Sequence, residues 1–73
     1  MNYHILREFG ELTLNRPCLD APPTVVAAWY ERKADLFECI AAAEGHDSAG
    51  ALRQARLARR HAFLLVTAAG NAA

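Results

Sequence analysis

The sequence predicts an all-α protein: a short N-terminal helix followed by a long antiparallel helical hairpin, assembling into a helical-bundle dimer. Three observations point there. Apolar residues recur at spacings of three and four in three separate segments. Glu44-Gly45-His46-Asp47 reads as a tight connection between the second and third segments. The charges divide at the same place, since every acidic residue lies at or before Asp47 while Arg53, Arg56, Arg59 and Arg60 lie after it. Residues 1–47 therefore sum to −4 and residues 48–73 to +4 on a chain that is neutral overall. An acidic helix joined to a basic one can pair internally, pair between copies, or offer its basic side to a polyanion.

The first helix is expected over about 2–13, with Asn2 as its cap and Ile5, Leu6, Phe9 and Leu12 on one stripe. Arg7 and Glu11 form an i,i+4 pair on the solvent side. Gly10 weakens this helix by about 1 kcal/mol against alanine. A rival reading pairs Tyr3–Phe9 with Glu11–Asn15 as a hairpin, but an isolated two-stranded hairpin is marginal in water. Asn15 to Asp20 reads as a linker, because Pro17 lacks an amide hydrogen and pushes Arg16 away from helical geometry.

The second helix is expected over about 22–43, with Pro22 and Pro23 in a first turn where missing N–H groups cost nothing, and Gly45 as its stop. Val26, Trp29, Leu36, Phe37 and Ile40 form its main apolar face. Ala27, Ala34 and Ala41 form a second strip at heptad spacing beside Tyr30 and Phe37, and Glu31, Asp35 and Glu38 lie on the far side. This apolar arc is wider than the ~100° that one neighbour needs, so the helix is expected to have two. The third helix is expected over about 48–69, capped by Asp47 and ended by Gly70-Asn71. Leu52, Ala55, Ala62, Phe63 and Val66 mark one apolar face with Ala51 and Ala58 on its flank. Leu57, Leu64 and Ala68 mark a thinner strip nearly opposite, and Arg53, Arg56 and Arg60 run between. A short connection makes the two long helices antiparallel neighbours, each ~33 Å long at 1.5 Å per residue.

One domain of 73 residues has little core to draw on. At this size a core supplies about 3–5 kcal/mol net, and disulfides, a metal or oligomerisation usually add to it. Cys18 and Cys39 form no CxxC pair, and His4, His46 and His61 lack zinc-site spacing, which leaves self-association. With no signal peptide at its start, the chain is expected to be cytoplasmic with free thiols. Its longest nearly apolar stretch, 62–70, is well short of the ~18 residues of a membrane span, so no membrane partner is expected.

Val26, Trp29, Leu36, Phe37, Ile40, Leu57 and Leu64 are the expected oligomer or partner interface. Arg53, Arg56, Arg59 and Arg60 are candidates for binding a polyanion, because an arginine-rich helix side can neutralise phosphates. The plainer reading pairs these arginines with Glu31, Asp35 and Glu38, and it is favoured because a neutral chain lacks the high pI of a nucleic-acid binder. Two ~22-residue helices also do not match the helix-turn-helix geometry. Trp29 is read as core and not as a ligand cradle. Lys33 and Arg59 fall inside apolar stripes and are expected to snorkel at the core edge. His61 with Cys39, or His46 with Asp47, lacks the oriented third group that an activated nucleophile requires. No catalytic residue, cofactor or metal site is expected, and the chain is read as a non-enzymatic regulatory module that binds protein, with nucleic acid as the alternative partner.

Arg16-Pro17, Asp20-Ala21-Pro22, Trp29-Tyr30-Glu31-Arg32-Lys33-Ala34, Ile40-Ala41, Gly45-His46, Ala51, Ala55-Arg56, Arg59 and Ala62 together resemble a group of small actinobacterial proteins. In those, an RP-linker precedes a W-x-x-Y-E-R-type helix and then an alanine- and arginine-rich helix. Here Trp29 and Tyr30 are adjacent instead of spaced, and the resemblance covers roughly residues 12–62. It implies a bacterial cytoplasmic protein and carries no assigned chemistry.

Overall fold

The computed structural model describes residues 3–43 and 48–71, which fold into three helices: α1 (Tyr3–Leu14), α2 (Pro23–Ala43) and α3 (Ser48–Asn71). The described residues contain no strand, so the N-terminal segment is helix and not a hairpin. The expected caps Asn2 and Asp47 and the stop at Gly45 lie outside the described residues.

Local chemistry sets the ends of the helices. At the close of α1, the Asn15 amide and its Nδ2 both donate to the Glu11 carbonyl, at 3.0 and 2.8 Å. Thr13 Oγ1 donates to the Phe9 carbonyl at 3.0 Å, and the Arg16 amide donates to Thr13 at 3.4 Å. The bonds to Glu11 and Thr13 satisfy carbonyls that a helix end leaves without an internal partner, while the Thr13 hydroxyl bonds back to a carbonyl inside the helix. A turn closed by Ala21 N–H to Cys18 C=O (3.1 Å) then leads into α2. Pro22 does not sit inside the first turn as expected. Its carbonyl accepts from the Val25 and Val26 amides at 3.0 and 3.1 Å, which makes it the cap and Pro23 the first helical residue. At the far end, α3 runs through Gly70, which keeps helical backbone instead of turning left-handed to end the helix.

α2 is the middle element and has two neighbours. On one side α1 lays Ile5 and Leu12 against Leu36, with Phe9, Trp29 and Ile40 packed around them. Trp29 Nε1 donates to the Leu12 carbonyl at 2.9 Å, which gives a part-buried indole its hydrogen bond and ties α1 to α2. On the other side α3 packs through alanines, with Ala34, Ala55 and Ala58 buried together beneath Tyr30 and Phe37. The partners run in opposite order along the two helices, so the hairpin is antiparallel.

Of the main apolar face of α3 and its flank, only the alanines turn inward. Ala51, Ala55, Ala58 and Ala62 are buried, whereas Leu52, Phe63 and Val66 are exposed. The reason is steric. Ala27 and Ala34 on α2 are also buried, and methyl groups on both helices let the axes approach more closely than leucine or phenylalanine would. The stripe of α1 is likewise only partly used, since Leu6 remains 57% exposed.

Among the described residues the backbones of α1 and α3 do not approach each other, and both helices pack on α2. With α1 and α3 packed on opposite sides of α2, the helices form a single layer whose Cα atoms span 43 × 24 × 12 Å.

Candidate interaction surface

Glu31, Asp35 and Glu38 follow one another at spacings of four and three, so α2 presents them on one side. α3 brings Arg59 to them. Its guanidinium donates from Nη1 to Glu31 at 2.6 Å, and from Nη2 to Asp35 at 3.0 Å and Glu38 at 2.8 Å. The hydrogen bond to Asp35, followed by the one to Glu38, raises the guanidinium above its ordinary value, so it carries its charge throughout the neutral and alkaline range. Arg59 therefore makes the expected pairing with all three carboxylates and, beyond snorkelling, forms a clamp between two helices. Three carboxylates facing one cation leave an acidic surplus on this face, with the Asp35 side chain 69% exposed.

The four candidate arginines are thus divided. Arg59 is taken up within the chain, whereas Arg53, Arg56 and Arg60 are exposed and make no ion pair with any described residue. Elsewhere Arg32 bridges from α2 to Glu8 and Glu11 of α1 at 3.6 and 3.8 Å, and Arg7 pairs with Glu11 at 3.8 Å.

The seven residues expected at a partner interface are divided as well. α1 covers Leu36, which is buried, and packs against Trp29 and Ile40. Phe37 packs on the alanine cluster and meets Phe9 edge-on, with ring centroids 5.4 Å apart. Val26 is half-buried, and Leu57 and Leu64 remain exposed on α3. The α2 stripe is thus largely spent inside the chain.

In its place, Leu52, Arg56, Arg59, Phe63 and Val66 form an outward stripe with alternating spacings of four and three. Phe63 is 66% exposed and Val66 51%. An open groove lined by Glu38, Leu52, Ala55, Arg56 and Arg59 runs between this stripe and α2. That spacing is the sequence signal of the stripe, whose Leu52, Phe63 and Val66 belong to the main apolar face read from the sequence.

On the other side of the layer the rings form a file. Arg16 and Lys33 place their charges 5.9 and 5.5 Å from the Trp29 ring, and Lys33 also stands 5.8 Å from Tyr30. Trp29 meets Tyr30 edge-on at 5.1 Å, and His61 stacks on Tyr30 at 4.2 Å. Lys33 is therefore held over two aromatic faces, a cation–π arrangement and not simple snorkelling. This stack also separates His61 from Cys39. Cys39 lies nine positions beyond Tyr30 on α2, about 13 Å along the axis and on the opposite side of the helix. Cys18 and Cys39 are free and exposed, and no group of metal-ligating side chains occurs among the described residues. His46 and Asp47 lie outside them. No described helix is long and apolar enough to cross a membrane.

Comparisons with family models, with curated proteins and with solved structures give no match.

Proposed function

We propose that this chain is a non-enzymatic helical module that self-associates and acts by binding another protein, in the cytoplasm, where its two free thiols stay reduced. The single-layer architecture carries this reading. Domains bury their apolar faces between at least two packed layers, and here one layer is left with Leu52, Leu57, Phe63, Leu64 and Val66 facing outward from α3. A second layer supplied by association covers part of that surface and gives a small chain the stabilisation its own core lacks. Light scattering at low and high salt tests it. The expected result is a mass of at least twice the 8.0 kDa chain that persists in salt, because apolar burial is not screened. A monomer at every concentration and salt level would refute it.

A second reading rests on one specific observation, the three arginines Arg53, Arg56 and Arg60 that no described carboxylate neutralises. They suit a phosphate backbone, and such binding weakens steeply with salt. Replacing all three with alanine should abolish duplex binding and leave the helices intact. No binding to duplex in 20 mM salt would remove this reading. The apolar residues interleaved with these arginines favour the first, since nucleic-acid interfaces are more polar than protein interfaces.

A further inference from the structure

We infer that the missing layer is a second copy of this chain, stacked across a two-fold axis on the face that carries both Asp35 and Arg56. This inference rests on the self-association proposed above and names the surface that performs it.

A two-fold contact sets one patch against itself, so the patch must be self-complementary. The face with the arginine clamp meets that condition. Its α2 half carries the acidic surplus of Glu31, Asp35 and Glu38 around a single guanidinium. Its α3 half carries Arg56, exposed and without a described partner, between the exposed Leu52 and Phe63. A two-fold axis along the groove between the halves lays the basic, apolar half of each copy on the acidic half of the other. Leu52, Phe63 and Val66 are covered in the same step.

The alternatives lack this property. The opposite face presents Arg16 and Lys33 along its aromatic file, so stacking it on itself would bring cations together. The outer edge of α3 presents Arg53 and Arg60 beside Leu57 and Leu64, and the described part of α3 contains no acidic residue to oppose them. Like charges placed directly across an interface suppress association.

A charge-swap experiment tests the arrangement. Arg56→Glu and Asp35→Arg are made separately, the helicity of each is checked by circular dichroism, and dissociation constants are measured by analytical ultracentrifugation. Each variant alone is expected to dimerise at least tenfold more weakly than the parent chain. Mixing the two in equal amounts should restore a dimer, because each altered residue then faces its opposite charge and both unaltered ones keep theirs. Arg53→Glu, on the outer edge of α3, should leave the dimer unchanged. If Asp35→Arg loses helicity through the clamp, Phe63→Asp takes its place and should weaken the dimer as Arg56→Glu does. A parent dimer that neither Arg56→Glu nor Phe63→Asp weakens overturns this face while leaving self-association standing. A parent chain that is monomeric throughout overturns both.

Discussion

Two side chains fasten the outer helices to α2, and each can be isolated by substitution. Arg59 joins α3 to three carboxylates in a cluster open to water, where individual ion pairs contribute only about 0.2–1 kcal/mol. Arg59→Gln removes the cation and leaves Glu31, Asp35 and Glu38 to repel one another. It should lower stability in urea by about 1–2 kcal/mol at low salt. The deficit should shrink toward zero in 1 M salt, where the screening length falls to about 3 Å. The pH dependence follows from the same geometry. A cation whose pKa is raised by folding contributes fully while it is protonated in both states, so the Arg59 contribution should be flat from pH 7 to pH 10 and vanish only in stronger alkali. A fall in parent stability over that range that is absent in Arg59→Gln would contradict the assignment. Trp29 fastens α1 through a single hydrogen bond to Leu12. Trp29→Phe keeps a ring in the cluster but loses the donor, and should cost about 1 kcal/mol by circular-dichroism melting.

The α2–α3 contact shows how far the elements could be read from sequence. Three helices, the hairpin and the two-sided character of α2 were legible because apolar periodicity and the proline punctuation are local signals. The inward face of α3 was not. Hydrophobicity ranks Leu52, Phe63 and Val66 above alanine, yet the choice depends on α2 offering Ala27 and Ala34, a pairwise fit that no single-helix pattern contains. That an arginine of α3 pairs with Glu31, Asp35 and Glu38 was legible in the charge split, but not that Arg59 alone does so. All four arginines have the same chemistry, and only the rotation of α3 about its axis decides which one meets the carboxylates. The clue that was present is that Ala51, Ala55, Ala58 and Ala62 repeat the small-residue spacing of the facing helix. Ala34 is fully buried at the centre of this contact. Ala34→Leu should therefore force the helices apart and cost about 1–3 kcal/mol in urea unfolding. Gly10 in α1 is the opposite case. A methyl group there meets nothing within 4 Å and the backbone is helical, so Gly10→Ala should stabilise the chain by about 1 kcal/mol. An unchanged midpoint for both substitutions would mean that neither helix is placed as described.

At the scale of the whole molecule, the depth of one helix means that almost every side chain lies near a surface. Among the described residues no side chain larger than alanine is more than 98% shielded from solvent. The alanine contact between α2 and α3 has a consequence for how the protein behaves on dilution. A buried methylene contributes about 0.8 kcal/mol and a fully buried leucine about 1.5–3 kcal/mol, so an alanine contact brings two helices very close while supplying little driving force per turn. If the chain self-associates as proposed, covering the outer face supplies much of the free energy that holds the hairpin shut, and folding and assembly become one equilibrium governed by mass action. The thermal midpoint should rise with chain concentration, and the shift should disappear in Arg56→Glu. Such a chain would be long-lived where copies are abundant and quickly cleared by proteolysis where they are scarce, so its amount in the cell would follow a threshold in its own synthesis.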